Sequence, residues 1–228
     1  MAEKLRRETQ EQSRLRSKFF TAANHDIRQP LQAIGIYIQL LKKNGDPKTQ
    51  AIVEQLSKTT QGLQTLVAQI LEVSKLETGH TTSNLEPIKL SALLDELALE
   101  FKPVANEKGL DFRLKNLDVN VYTDPQLLTR AIRNLITNAI AYTQKGEILL
   151  AARLIGGKRV SICVVDSGAG IEEAEQKRIF DYFYRSENTR THAEGYGLGL
   201  SIVKAICEQL QIKLSLSSRP VSYTHLRA

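Results

Sequence analysis

The chain has 228 residues, a formal charge of +6, a pI near 9.3 and an apolar fraction of 42%. That length and composition allow one large or two ordinary domains with real cores; no run approaches the roughly 18 apolar residues of a membrane span, and no signal-peptide pattern is present. The basic excess gathers in EKLRRETQEQSRLRSK, where both charge signs mix at helical spacing without interleaved aromatics, so a solvated helix is expected, with no nucleic-acid partner and no membrane contact by this segment.

From about Leu5 to Lys43 the text is helical, broken only by Pro30. Within it NHDIRQPL, Asn24 to Leu31, puts an imidazole, a carboxylate and a guanidinium in one turn. Ile27, Leu31, Ile34, Ile38 and Leu41 alternate spacings of four and three, a coiled-coil-like seam, and His25 and Asp26 fall off it. A lone histidine there reads as solvated. His25 followed at once by Asp26 is a candidate nucleophile, because the carboxylate can hold one ring nitrogen protonated and leave the other to attack. Pro30 is expected to kink the helix just beyond and expose the site.

Asn44, Gly45, Asp46 and Pro47 end that helix and start another, with Asp46 as N-cap and Pro47 at the first helical position. Val53, Leu56, Thr60, Leu63, Val67, Ile70 and Ser74 give the second helix its own seam. A helical hairpin of this kind has too little core alone, and two copies make a four-helix bundle, so a symmetric dimer is expected. The proposed division is a helical domain over 1–80, a linker over 81–87, a second domain over 88–216 and an atypical tail over 217–228.

Beyond the linker, Ile88 to Leu90 reads as a short strand, Ser91 as the cap of a helix to about Asn106, and Gly109 as its end. Leu110 to Leu114 and Val119 to Tyr122 alternate like strands. Asp124-Pro125 opens a helix to about Tyr142, Gly146 to Ile155 and Arg159 to Val165 make a hairpin around Gly156-Gly157, and a last helix runs from about Leu198 to Leu210. Helices interspersed with hairpin strands imply an α+β sandwich with an antiparallel or mixed sheet. Cys163 falls in a strand-like run and Cys207 in a helix-like one, with neither metal spacing nor a disulfide framework, which suggests a reducing, cytoplasmic setting.

Three clusters in this half hold polar groups where packing would not ask for them. NLITNAIAYT sets Asn134 and Asn138 one turn apart on one face among apolar neighbours. They are either a solvated face or, through a carboxamide oxygen, a site for Mg²⁺, a hard cation. SICVVDSGAGI ends a strand in Asp166, then Gly168 and Gly170. The dinucleotide fingerprint fails because its third glycine would fall at Glu173. A carboxylate there would repel a pyrophosphate, yet it can accept from an exocyclic amine such as that of adenine. EGYGLGLSIVKAI places Gly195, Gly197 and Gly199 before a helix whose freed amides suit phosphates.

Together these residues resemble the transmitter core of a bacterial sensor histidine kinase: NHDIRQPL is similar to the H box, NLITNAIAYT to the N box, DSGAGI and GYGLGLSIV to the two glycine boxes and IFDYFYR to the F box. The resemblance covers about Arg14 to Leu216. It implies a dimeric helical hairpin joined to a Bergerat-type ATP-binding sandwich, shared with gyrase and the Hsp90 chaperones. It makes His25 the phosphoacceptor, oriented by Asp26, and Asn138 the Mg²⁺ ligand beside Asn134. Asp166 would read adenine with Gly168 and Gly170 admitting the base, and Tyr142 would pack near the nucleoside. Phe180 and Phe183 would anchor a lid from about Ser186 to Glu194, Gly195, Gly197, Leu198 and Gly199 would hold phosphates, and Arg185 would meet the γ-phosphate. The implied reaction is in-line transfer from MgATP to His25, then to an aspartate of a response-regulator receiver domain. HDIRQPL further resembles hybrid kinases with a receiver domain of their own, and a membrane anchor would lie upstream.

Three departures stand out. Ala141 replaces the N-box Lys or Arg, Gln29 holds the place where related phosphatases have Thr or Asn, and SSRPVSYTHLRA after Leu216 lacks the family's glycine turn and final strand, as foreign sequence would. Two rivals follow: a hydrolytic ATPase, which usually needs a glutamate base where Asn134 stands, and a non-catalytic dimeric ATP-binding relay module.

Overall fold

The computed structural model describes residues 31–32, 34–38, 41, 47–77, 83–186, 196–219 and 222–227. The chain divides into two compact units, Met1–Thr81 and Thr82–Ala228. His25, Asp26, Ile27, Gln29, Pro30, the Asn44–Asp46 stop and Gly195, with nearly all of the expected lid, lie outside the described residues.

In the first unit the described residues between 31 and 41 are helical, and α1 (Pro47–Glu77) begins at the proline, which fits position N1 because its missing N–H has no intrahelical partner there. Leu31 and Ile38, one heptad apart, are buried together with Val53 and Val67. Between them the seam is uncovered: Ile34 and Leu41 on the first helix and Leu56 and Leu63 on α1 are exposed. The hairpin therefore uses only alternate layers of its apolar seam for its own packing.

The second unit runs β1 (Glu86–Lys89), α2 (Leu90–Glu107), β2 (Leu110–Lys115), β3 (Asn120–Thr123), α3 (Pro125–Tyr142), β4 (Gly146–Ile155), β5 (Arg159–Asp166), α4 (Gly199–Gln209), β6 (Ser215–Arg219) and β7 (Ser222–Arg227). β1 and β3 form a small antiparallel pair, and the main sheet has the order β2-β4-β5-β7-β6. Only β2 and β4 in it are parallel, so the sheet is mixed, as expected. Leu94 and Leu97 of α2, Ile132, Leu135 and Ile136 of α3 and Val203 of α4 pack with Ile148, Leu150 and Val164 of the sheet into one core. Ile148, Leu150 and Ala152 of β4, and Ile162 and Val164 of β5, lie two apart and so share the core face, while the buried positions of α3 recur with helical period.

Local chemistry sets several boundaries where the sequence puts them. Asp124 caps α3 by accepting from Leu127 N at 2.9 Å, ahead of Pro125. Gly109, at φ 76°, ends α2, and Gly156 and Gly157, at φ 58° and 71°, turn the β4–β5 hairpin. Three expectations need correction. Ser91 is not a cap: α2 starts at Leu90 after Lys89, and the Ser91 hydroxyl donates to Asp118 at 3.2 Å. The stretch 81–87 is not all linker, because Asn84 N donates to Asp124 Oδ2 at 2.8 Å and β1 begins at Glu86. The sequence after Leu216 does not lack a final strand, since β7 pairs antiparallel with both β5 and β6. The strand-favouring residues Tyr223 and Thr224 and the backbone groups that β5 offers along its edge account for this pairing without a glycine turn.

Candidate nucleotide site

The carboxyl end of β5 and the carboxyl half of α3 meet the segment 169–186 and the start of α4 around a cleft. Its cavity volume is about 120 Å³, below the roughly 300–1,000 Å³ usual for small-molecule sites, so it is a narrow slot that opens to solvent at its mouth. Leu135, Ala139, Val164, Ile171, Ile179 and Leu200 give apolar walls, while Asn138, Tyr142, Asp166, Glu175, Tyr184, Arg185 and Ser186 bring polar groups. An apolar slot with few convergent polar groups suits a flat heteroaromatic base.

Asp166 is the last residue of β5, and Gly168 folds back on it, donating N–H to Asp166 Oδ1 at 2.9 Å. A Cβ at Gly168 would stand 2.8 Å from that oxygen, 2.9 Å from Tyr142 O and 3.3 Å from Thr143 Oγ1. Only glycine lets this turn lie against the end of α3 without displacing it. Gly170, at φ 75°, then leads the chain into the cleft wall.

At the other end, Gly197 at φ 72° passes so close to the preceding segment that a Cβ would lie 2.6 Å from Tyr184 O. Leu198, buried at the N-cap of α4, offers no side-chain cap, so the N-cap side chain itself does not occupy the first-turn amides of this helix. Gly199 faces α3, where its Cβ would meet Asn138 at 3.4 Å and Asn134 Oδ1 at 3.6 Å. The paired amides and the positive end of a helix are therefore neighbours, an arrangement suited to anions.

Of the sequence-derived candidates, Asn138, Tyr142, Asp166, Gly170 and Arg185 line the cleft directly. Gly168, Asn134, Gly197, Leu198 and Gly199 shape it from behind or at its end. Asn134 also donates to Arg130 O at 3.1 Å. Phe183 is not among the residues that line the cleft: it is 59% exposed, with a left-handed φ of 61°, and its neighbour Tyr184 lines the cleft together with Tyr142. Phe180 packs against the core.

Sequence reasoning missed four residues. Glu175 and Tyr184 line the cleft, Thr143 is fully buried beside Gly168 with no hydrogen-bond partner for Oγ1 among the described residues, and Lys108 donates to the carbonyls of Ile140 and Ala141, the latter at 3.0 Å; Ser186, expected as the edge of a lid, also lines the cleft. Lys108 thus caps the negative end of α3; its ammonium serves the backbone of Ala141. Thr143, directly after Tyr142 in AYT, was within reach of sequence reading, whereas Glu175 and Lys108 come from separate segments that only the fold joins.

Residues 123–228 match the family of histidine kinase-, DNA gyrase B- and HSP90-like ATPases, and residues 15–79 match the His Kinase A phospho-acceptor domain. The autoinducer 2 sensor kinase/phosphatase LuxQ of Vibrio vulnificus is 32% identical over 223 residues, covering 93% of this chain and 26% of that protein. The signal transduction histidine-protein kinase BarA of Escherichia coli is 30% identical, covering 94% and 24%. The sensor-like histidine kinase SenX3 of Mycobacterium tuberculosis is 27% identical, covering 90% and 51%. The chain thus spans about a quarter to a half of the length of these relatives. Among solved structures, full-length ShkA in complex with AMPPNP matches with a TM-score of 0.80 at 25% identity over 92% of this chain and 45% of that one. The catalytic domain of the histidine kinase ThkA matches with a TM-score of 0.55 at 26% identity over 63% of this chain and 93% of that one. The chain belongs to the sensor histidine kinases, with a phospho-acceptor domain followed by an ATPase domain of the gyrase B and HSP90 type.

Proposed function

We propose that this chain is the autophosphorylating core of a two-component system, taking a phosphoryl group from ATP onto His25 and passing it to an aspartate of a receiver domain. The observation that carries the reading is one cleft in which an apolar slot ending at Asp166 adjoins Asn138, the Gly197–Gly199 helix start and Arg185. A base fits the first part and a charged phosphate chain the second. Asp166 would accept from the base amine, Tyr142 and Leu135 would cover its faces, and the α4 amides with Arg185 would neutralise the phosphates. ATP supplies the phosphoryl group when bound. Asn138 offers an amide oxygen to Mg²⁺, which prefers oxygen and keeps water and phosphate ligands. Among the described residues no cluster of three His, Cys, Asp or Glu could hold a metal alone, so the ion would arrive with the nucleotide. Asp26 would orient the His25 imidazole and take up proton density as it attacks.

The uncovered layers of the helical seam, Ile34 and Leu41 with Leu56 and Leu63, support a homodimer through the first unit, where a second hairpin would cover them. No described helix is long and apolar enough to cross a membrane, and we place the segment in the cytoplasm. The relay-module alternative draws on Ala141, which leaves the N-box cation out of the cleft. The two separate in one experiment: purified chain with γ-labelled ATP and Mg²⁺, beside His25→Gln and Asn138→Ala. Acid-labile protein-bound label that disappears in both variants is expected. Tight ATP binding with no retained label would establish the relay module, and phosphate release indifferent to His25 would establish a hydrolytic ATPase.

A further inference from the structure

We propose that Glu175 is a positioning residue that holds Arg185 in the nucleotide cleft, an inference that rests on the kinase reading above. After Gly170 the chain crosses the cleft wall in a series of turns, where backbone bonds such as Gln176 N to Glu172 O (3.1 Å) and Ile179 N to Glu175 O (3.0 Å) fix Glu175 itself. Its two carboxylate oxygens are used separately: Oε1 accepts from Tyr184 Oη at 2.8 Å and Oε2 from Ser186 Oγ at 3.0 Å. Those two donors flank Arg185, so one carboxylate ties down the chain on both sides of that guanidinium.

The surroundings show why a tie is needed. Phe183, just before, sits at φ 61°, a conformation that side chains other than glycine adopt only when neighbouring structure holds them there. Gly197 presses against Tyr184 O from behind, and the Arg178 guanidinium lies 4.7 Å from the centroid of the Tyr184 ring, an attractive cation–π distance. The tyrosine is thus held at its backbone, ring and hydroxyl. A carboxylate in a cleft that takes a polyanion would by itself oppose binding. Glu175 is tolerable there because two hydroxyls, charge-assisted donors, hold it. What it returns is a fixed backbone on both sides of Arg185, which sets where that cation enters the cleft.

The test measures dissociation constants of the whole chain for AMPPNP and ADP, which differ at the γ position. Arg185→Ala is expected to weaken AMPPNP by about tenfold, the scale of one charge-assisted hydrogen bond, and ADP by less than about twofold. Glu175→Leu should reproduce that selective loss, and adding it to Arg185→Ala should cost nothing further, since both remove one contact. Glu175→Gln, whose amide can still engage both hydroxyls, should keep most of the AMPPNP preference. A Glu175→Leu protein with the parental preference, or losses that multiply in the double variant, overturns the proposal while leaving the phosphate role of Arg185 standing. An Arg185→Ala protein with unchanged preference removes that role and the proposal with it. Should Glu175→Leu unfold, Tyr184→Phe combined with Ser186→Ala removes both donors and must give the same selective loss; equal weakening of both nucleotides then overturns the proposal.

Discussion

The two units solve the problem of burying apolar surface in opposite ways. The ATPase unit closes its own core, with Leu90, Ile136, Ile148, Leu150 and Val203 all fully buried. The helical unit leaves Ile36, Ile52, Leu56 and Leu63 exposed, and a bare helical pair with such a stripe is a surface awaiting a second layer. A self-contained core suits a domain that must hold a small molecule in fixed geometry, and an uncovered seam fits the homodimer proposed above. Breaking that seam should give the largest effect. Leu56→Asp with Leu63→Asp is expected to abolish self-association, seen by sedimentation or light scattering, with ADP affinity unchanged. A variant that stays dimeric would show that the seam is not the interface.

The closed core should answer to cavity energetics. Ile136→Ala, at a fully buried position of α3, is expected to cost about 2–5 kcal/mol in denaturant unfolding of the ATPase unit. Leu63→Ala, half exposed on α1, should cost well under about 1 kcal/mol when the protein is dilute enough to be monomeric. Its cost should grow with concentration as the dimer forms. Equal costs at all concentrations would erase the distinction between the units.

The same contrast explains how much could be read in advance. Seam periodicity located the apolar faces of both helices, because a helix repeats its exposure every three to four residues. It could not tell that Leu31, Ile38, Val53 and Val67 are covered within one chain while Leu56 and Leu63 are not, since coverage depends on the neighbour. In the ATPase unit, local chemistry fixed what local chemistry can: Asp124-Pro125, Gly109 and the Gly156-Gly157 turn each satisfy nearby backbone. Ser91 misled because its hydroxyl found Asp118, across the fold, instead of the helix amides. Asp166 and Gly168 were legible as a carboxylate and a glycine at a strand end, and Asn138 as an amide among apolar neighbours within a helix. Glu175 was not, as one glutamate among Glu172, Glu173 and Glu175 becomes distinctive only through Tyr184 and Ser186. The final strand was missed because its sequence lacks the glycine turn, although β7 pairs with β5 without one.

Glycine sharpens the comparison further, since one substitution should act with opposite sign in the two units. Gly35 lies in a helical stretch, and a Cβ there would meet nothing within 4 Å. Gly35→Ala should therefore stabilise the hairpin by about 0.5–1 kcal/mol. Gly168→Ala pushes a methyl to 2.8 Å from Asp166 Oδ1 and 2.9 Å from Tyr142 O. One of these must move, so ATP affinity is expected to fall by at least about tenfold, roughly the effect of losing one well-made polar contact. Thermal melts with and without ATP would read both, and a Gly168→Ala protein with parental affinity would show that the turn need not approach α3 so closely.

Within the ATPase unit, the depth of the core also shows in its cysteines. Burial pushes the Cys207 thiol up to about 11, with Glu208 adding to the shift, whereas Cys163 is partly exposed. A raised acid pKa means that folding favours the neutral thiol. Its contribution is therefore complete below the unfolded value, about 8.5, and is lost as pH rises towards 11. Cys207→Ala should flatten that part of the alkaline stability profile, and alkylation at pH 8 should label Cys163 well before Cys207.

The smallest effect tests whether a buried polar group in this unit belongs to its core or its site. Thr143 is wholly enclosed, yet its Oγ1 has no hydrogen-bond partner among the described residues, and it lies against the Gly168 turn that holds Asp166. An unmet buried hydroxyl costs about 1–3 kcal/mol. Valine has nearly the same shape and no such debt, so Thr143→Val should raise the stability of the ligand-free protein by about 1 kcal/mol. If the hydroxyl serves only packing, ATP binding will be unaffected or improved. Weaker ATP binding in the more stable variant would instead mean that the hydroxyl acquires its partner with the nucleotide, directly or through a water shared with Asp166. Stability and affinity moving in opposite directions would assign this residue to the site, where the cost carried by the empty protein is released when the base binds.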